Sequence, residues 1–363
     1  MGFNCVSVAS IKRHRSEARR RRHRPEGFRL SVTSRCPPVA PVGDGDRPFW
    51  SVMVPTHNGD TLLAETLASV LAQDPGPERM QIEVVDDHST RTNPEAVVRD
   101  IAGTRIAYFR QPSNVGHVAN FNTCLRHSRG MVVHVLHDDD LVRGGFYRGL
   151  ERVFQDHPEV GAAFTRHIYA DPAGHWRSFS PLERRSAGVL SGWLRVLASG
   201  MRLTTPAITI RRSVFEELGG FDPRIRGGED WEMYVRIATR FPVWFEPEPL
   251  AVYRYARPGS LTGDAVGTTR LVEDLLRATD VIEEYLSLYL PEKEASQALG
   301  QARRLYGRWS LETVPGLVRA RQWPALAAAM RVGLRAGPPA RMTAELVDVI
   351  LRRASRRLLR AQA

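Results

Sequence analysis

No stretch of the chain approaches the ~18 consecutive apolar residues that cross a bilayer, so no membrane-spanning helix is expected. Cysteine is scarce. Cys5, Cys36 and Cys124 are odd in number and widely spaced, which excludes a disulfide framework and a CxxC metal clip. A reducing compartment is the default expectation. Lysine is scarcer still, with only Lys12 and Lys293 among 51 basic residues, a bias that base composition explains as readily as arginine chemistry. Neither G-x-G-x-x-G nor G-x-x-x-x-G-K-[ST] occurs, which argues against dinucleotide-dependent and P-loop chemistry. His117, His127, His134 and His167 make no HxxH or HExxH pattern and read as surface or internally satisfied histidines. Ser260 lacks a nucleophile-elbow context, and no apolar segment near the amino terminus reads as a secretory signal.

What is present is an ordinary globular composition, 42% hydrophobic and 25% charged over 363 residues. That excludes a fully disordered chain, a collagen and a coiled-coil rod. The length fits about two domains. The net charge of +11 is unevenly placed. Residues 1–48 carry +7 and residues 264–363 carry +5, while residues 49–263 carry −1. A neutral centre is poor ground for a nucleic-acid-binding core, and no specific nucleic acid is expected.

Residues 1–48 read as a disordered tail. Arg19 to Arg24, broken only by His23, repels itself, and Pro37, Pro38, Pro41, Gly43 and Gly45 read as a linker. The arginine run is a solvated tail, a tether to anionic lipid or a tether to nucleic acid. Residues 264–363 read as helical, with helices expected over Leu271–Tyr285, Ala295–Leu311, Trp323–Leu334 and Met342–Ala361. The last is basic and amphipathic. It either packs on its own domain or lies on an anionic membrane.

Between the ends, short apolar runs alternate with helical stretches. Strands are expected at Ser51–Val54, Gln81–Val85, Arg105–Phe109 and Met131–Leu136, with helices over Thr61–Gln73, Asn93–Ile101 and Val118–His127. Such alternation argues for an α/β fold with a largely parallel sheet. Ligands of such sheets bind beyond the carboxyl ends of the strands. The polar residues gather there: Pro55-Thr56-His57-Asn58 after the first strand, Asp86-Asp87-His88-Ser89 after the second and His137-Asp138-Asp139-Asp140 after the fourth.

Three adjacent carboxylates repel one another unless a cation joins them. Asp138, Asp139 and Asp140 therefore read as a site for Mg²⁺ or Mn²⁺ beside a phosphorylated substrate, or as an acidic turn capping a helix near Arg143. Asp86-Asp87 reads as an acceptor for a nucleobase N–H or ribose hydroxyl, or as a loop that satisfies only its own backbone. Gly219-Gly220-Phe221-Asp222 and Gly227-Gly228-Glu229-Asp230-Trp231 precede a helix expected over Trp231–Thr239. Asp230 is there either an N-cap or a general base.

In order and spacing, these segments resemble the family 2 inverting glycosyltransferases of GT-A fold. The resemblance covers Trp50 to Thr262 and rests on Ser51–Asn58, Leu67–Gln73, Glu83–Thr90, Asn114-Val-Gly116 with Asn120-Phe-Asn122, Leu136–Leu141, and Leu218–Asp222 with Glu229-Asp-Trp231. It implies a nucleotide-sugar-binding, Rossmann-like mixed sheet flanked by helices over residues 49–263, with 264–363 as a helical extension. It also implies roles. Pro55, His57, Asn58, Asp87 and Asn114 would lie around the nucleotide, and Asp138 would contact ribose or sugar. Asp139 would bind the divalent cation with Asp140 beside it, and Asp230 would deprotonate the acceptor hydroxyl. Two positions depart from the family pattern. His137 stands where the metal motif has its first Asp, and Arg257 stands near a usual His in Tyr253–Thr262. Arg254 and Arg257 are candidates to hold the diphosphate.

The implied function is metal-dependent, inverting transfer of a sugar from a nucleotide-diphospho-sugar to a saccharide or lipid-linked acceptor, in polysaccharide or glycoconjugate assembly. Donor choice would rest with loops such as 163–185. The expected location is the cytoplasm, with peripheral contact at the inner membrane face. The alternative is a catalytically degenerate domain tethered to membrane or nucleic acid as a binding protein. Retention of Asp139 and Asp230 argues against it. Nucleotidyl transfer is a third class, but Pro55 to Asp60 supplies no phosphate loop.

Overall fold

A computed structural model describes residues 35–43, 45–255 and 269–361, with side chains described as far as Arg352. Arg257 and most of the expected arginine tail lie outside the described residues.

The strands are β1 (Trp50–Thr56), β2 (Met80–Asp86), β3 (Ala107–Arg110), β4 (Val132–Val135), β5 (Leu141–Val142), β6 (Ala162–Ala170), β7 (Trp176–Phe179), β8 (Gly188–Val189), β9 (Ile208–Arg211) and β10 (Val243–Arg254). The helices are α1 (Thr61–Leu71), α2 (Pro94–Ala102), α3 (His117–His127), α4 (Phe146–Asp156), α5 (Trp193–Ala198), α6 (Arg212–Leu218), α7 (Glu229–Ala238), α8 (Arg270–Leu286), α9 (Glu292–Arg319), α10 (Trp323–Arg335) and α11 (Pro339–Ala361). The sheet runs β3-β2-β1-β4-β9-β6-β10-β5, with β7 on β6 and β8 on β10. Its first half is parallel, β3 to β4. β9 then runs antiparallel between β4 and β6.

The parallel half follows from sequence. Trp50, Val52, Met53 and Val54 are buried because both faces of β1 are covered. Met53 packs in one core with Phe121 and Leu125, while Val52 and Val54 pack in the other with Leu63 and Leu67. The one-residue alternation of a strand thus feeds two helix layers. Asp60 and Asn93 cap α1 and α2 through their side chains.

Several boundaries differ from expectation. β3 begins two residues after Arg105, because Arg105 is drawn off to a bidentate pair with Asp74 and to the carbonyl of Met80. The helix expected to end at Leu311 continues as α9 to Arg319 through Pro315, held by the packing of Val314 and Leu317. Residues expected as linker are partly core. Cys36 and Val39 are buried, the Pro37 carbonyl accepts from Gly220 N–H, and Arg212 reaches the Ala40 carbonyl.

The helical extension shares the main core. Val272, Leu275, Ile282, Tyr285, Leu299 and Tyr306 pack continuously with Trp231, Met233 and Phe215. The end of α9 instead forms a small separate core with α10 and α11, built on Leu311, Val314, Leu317, Ala329 and Met342. No described helix is long and apolar enough to cross a membrane.

Candidate active site

Where β1 and β2 end, the backbone N–H of Asp87 donates to the Thr56 carbonyl, so both loops leave the sheet together. The buried Asp87 carboxylate accepts from Val115 N–H at 2.7 Å and Gly116 N–H at 2.9 Å. It thereby clamps the loop leading into α3. His57 lies with Nδ1 2.8 Å from the Asp87 carbonyl, and Asn114 Nδ2 lies 3.3 Å from the same ring nitrogen. Asn58 has φ +59°; its Oδ1 accepts from Thr90 and Arg91 N–H, and its own N–H donates to Ser89. Asn58 therefore ties the two loops together. Pro55 is a buried strand residue. The structure brings Pro55, His57, Asn58, Asp87 and Asn114 to one edge, and Asn58 and Asp87 spend hydrogen bonds on shaping it.

Beside this edge, Thr56 hydroxyl donates to Asp138. A Cβ at Gly59 would collide with Thr56 Oγ1 and Asp138 Oδ2, so only glycine lets the chain pass so closely. Asp140 is fully buried. Its Oδ1 accepts from Arg254 N–H at 2.9 Å and its carbonyl from Thr66 hydroxyl at 2.8 Å. Arg254, expected at the diphosphate, is itself buried: Nη1 donates to the Asp139 carbonyl and Nη2 to Glu65. Those bonds latch the acidic turn onto β10.

His137, Asp139 and Asp140 each offer one ligand atom, all within 4.8 Å of one another. Asp140 Oδ2 and His137 Nε2 are buried without a hydrogen-bond partner, an arrangement that buried polar atoms rarely leave unresolved. His137 stacks on Phe121 at 5.2 Å. Burial lowers the His137 pKa, while burial and the neighbouring Asp139 push Asp140 well up. A neutral imidazole beside two carboxylates is a donor set for a divalent cation, with the nitrogen suiting Mn²⁺ better than Mg²⁺. His137 thus offers an imidazole nitrogen where the family pattern has a carboxylate oxygen.

α7 starts at Gly228, whose φ of +82° needs glycine. Glu229 is its first residue, two before the expected start, so Asp230 lies inside the helix and is not its N-cap. Buried Arg236 fixes α7 by pairing with Glu232 and donating to the carbonyls of Leu218 and Gly220. Asp230 is half-buried, accepting from Thr205 hydroxyl at 3.2 Å and Trp231 N–H at 2.7 Å. Burial, then the charge of Glu229, raises its pKa to about 7.

Sequence reasoning passed over one partner. His117, the first residue of α3, places Nε2 3.5 Å from Glu229 Oε1. Burial lowers the His117 pKa, but the neighbouring Glu229 carboxylate outweighs that and raises it. Gly116 is held by Asp87 and His117 pairs with Glu229, so the start of α3 joins the edge formed by the β1 and β2 loops to Asp230. No local motif announces a pair separated by more than a hundred residues. Thr56 was legible only as part of a motif, and Thr205 lies in none.

Residues 51–219 match the family described as Glycosyl transferase family 2. An uncharacterised Mycobacterium tuberculosis protein is 29% identical over 64% of this chain and 74% of its own. An uncharacterised glycosyltransferase of Mycoplasma pneumoniae is 26% identical over 59% of this chain and 70% of its own. Among solved structures, S. aureus TarS 1–349 in complex with UDP-GlcNAc superposes with TM-score 0.61 at 17% identity, covering 83% of this chain and 88% of that one. The sheet order, the flanking helices and these matches agree: the fold is that of the GT-A glycosyltransferases, and residues 51–219 match Glycosyl transferase family 2.

Proposed function

We propose that the enzyme moves a sugar, with inversion, from a nucleotide-diphospho-sugar to a hydroxyl of a saccharide or lipid-linked acceptor, with a divalent cation at the acidic turn. The observation that carries this reading is the convergence of His137, Asp139 and Asp140 within 4.8 Å at the carboxyl edge of the sheet. UDP-GlcNAc is the ligand of the TarS complex, and a Myxococcus xanthus O-antigen biosynthesis protein is 26% identical over 52% of this chain and 16% of its own. Both support a nucleotide-sugar donor and a saccharide acceptor.

The cation would be held by His137, Asp139 and Asp140, and when bound it would offset the charge of the departing diphosphate. The protein supplies the rest. Asp87 and Asn58 hold the loops that line the nucleotide edge, with His57 and Asn114 exposed upon it. Asp138, positioned by Thr56, faces ribose or sugar. Asp230 accepts the proton of the acceptor hydroxyl as that oxygen attacks; a carboxylate with a pKa near the working pH is effective in both its protonation states. One base on the face opposite the diphosphate suffices for a single displacement. Arg254 acts through the acidic turn, and Arg257 remains a candidate for the diphosphate.

Calorimetric titration with UDP, GDP and dTDP, with and without Mn²⁺, tests this reading. One nucleotide is expected to bind tightly only with metal, and Asp139→Ala to abolish that dependence. Binding of no nucleotide under either condition would overturn it.

A further inference from the structure

We propose that the outward face of α11 docks on an anionic lipid bilayer. α11 packs on α9 and α10 through Met342, Leu346 and Val349, and Arg308 of α9 draws Glu345 and Asp348 toward the same side. Val347, Ile350 and Leu351 point the other way. They are 49%, 49% and 60% exposed, and their i, i+3, i+4 spacing makes one stripe. The helix therefore carries two apolar faces and buries one. In the sequence the same spacing continues to Ala354 and Leu358. Val318 and Trp323, at the turn from α9 to α10, are exposed together with Arg319 and Arg321.

Charge identifies the occupant. Residues 313–363 contain ten arginines and only two acidic residues, a net of +8. Both acids are already paired, Glu345 with Arg308 and Asp348 with Arg308 and Arg352. A second copy would bring a like charge against this one. A nucleic acid would satisfy the arginines and leave three branched apolar side chains in water. An anionic bilayer satisfies both, with headgroup phosphates for the arginines and acyl chains for the stripe. The docking site is independent of the transfer chemistry, and it would bring the enzyme to acceptors carried in lipid.

The test is flotation of the full-length protein with vesicles of phosphatidylcholine alone or with about 30% phosphatidylglycerol. The expected result is binding to the anionic vesicles only, weakened about tenfold between roughly 0.1 and 0.5 M salt. Replacing the stripe (Val347→Ser, Ile350→Ser, Leu351→Ser) is expected to lower partitioning about tenfold with an unchanged melting temperature. Arg335→Glu with Arg341→Glu, both exposed, should lower it as well. No binding to anionic vesicles, equal binding to neutral ones, or unimpaired binding by the stripe variant would each overturn the proposal. So would a dimer in sedimentation velocity that the stripe variant dissolves, or duplex DNA binding that the stripe variant loses in parallel.

Discussion

Asp230 sits in the first turn of α7, where the helix dipole should make a carboxylate easier to ionise by ~0.3–1 kcal/mol. Its pKa instead rises from 3.8 to about 7. A change of that size corresponds to ~4 kcal/mol, so burial and the charge of Glu229 dominate the dipole. In the role proposed for Asp230 the ionised form is the base, so the transfer rate should climb as pH rises through about 7. Asp230→Asn should cut kcat by ~10²–10⁴ with nucleotide affinity unchanged, read by steady-state kinetics and calorimetry. Stability runs the other way. A carboxyl whose folded pKa is raised favours the folded state below the unfolded value and loses that contribution as pH rises to about 7. Asp230→Asn should therefore raise the melting temperature at pH 8 and scarcely change it at pH 4. His117 carries a second prediction. His117→Gln removes an imidazole 3.5 Å from Glu229 whose protonation Glu229 favours, and so removes what can offset the Glu229 charge beside Asp230. The acid limb of the pH–rate profile should move upward, with kcat at pH 7 several-fold lower and nucleotide affinity preserved. A purely structural His117 would lower the melting temperature and leave the profile in place.

At the scale of elements, what the sequence makes legible is what local chemistry decides. Short continuous apolar runs announced β1 and β2, the spacing of leucines announced α1, and adjacent carboxylates announced the turn after β4. The roles that stayed hidden depend on partners far along the chain. Arg254 looked like a diphosphate ligand because arginine commonly is one, yet 114 residues separate it from Asp140, whose carboxylate its N–H reaches. His137 looked like a loss because the motif expects aspartate, whereas its ring nitrogen reaches the same cluster from a stack on Phe121. The two readings of Arg254 separate experimentally. Arg254→Met removes buried bonds to the Asp139 carbonyl and Glu65, and ~2–4 kcal/mol of stability should go with them. Metal-dependent nucleotide binding should weaken because the acidic turn loosens. A direct diphosphate ligand would instead lower nucleotide affinity with the melting temperature unchanged.

For the whole molecule, the question is where the enzyme could be cut. Composition suggested a boundary at residue 263, but the core does not respect it. Val272, Leu275, Val281, Ile282, Tyr285 and Leu286 of α8 are buried against the layer that carries Trp231 and Tyr234, and Leu275 lies under the glycine that starts α7. Six large side chains at ~1.5–3 kcal/mol each contribute as much as the ~5–15 kcal/mol net stability of a domain. A chain ending at residue 268 should therefore fail to fold, giving insoluble protein without nucleotide binding. A cut after Gln322 is different. It keeps α9 through Tyr306, which closes the main core on Trp231, and removes only the helices that cover Leu311, Val314 and Leu317. That shorter chain should fold, bind nucleotide with metal and lose flotation with anionic vesicles. Loss of nucleotide binding in a folded chain of that length would show instead that α10 and α11 support the candidate site, through the close approach of Gly333 to Leu311 and of Ala336 to Gly307.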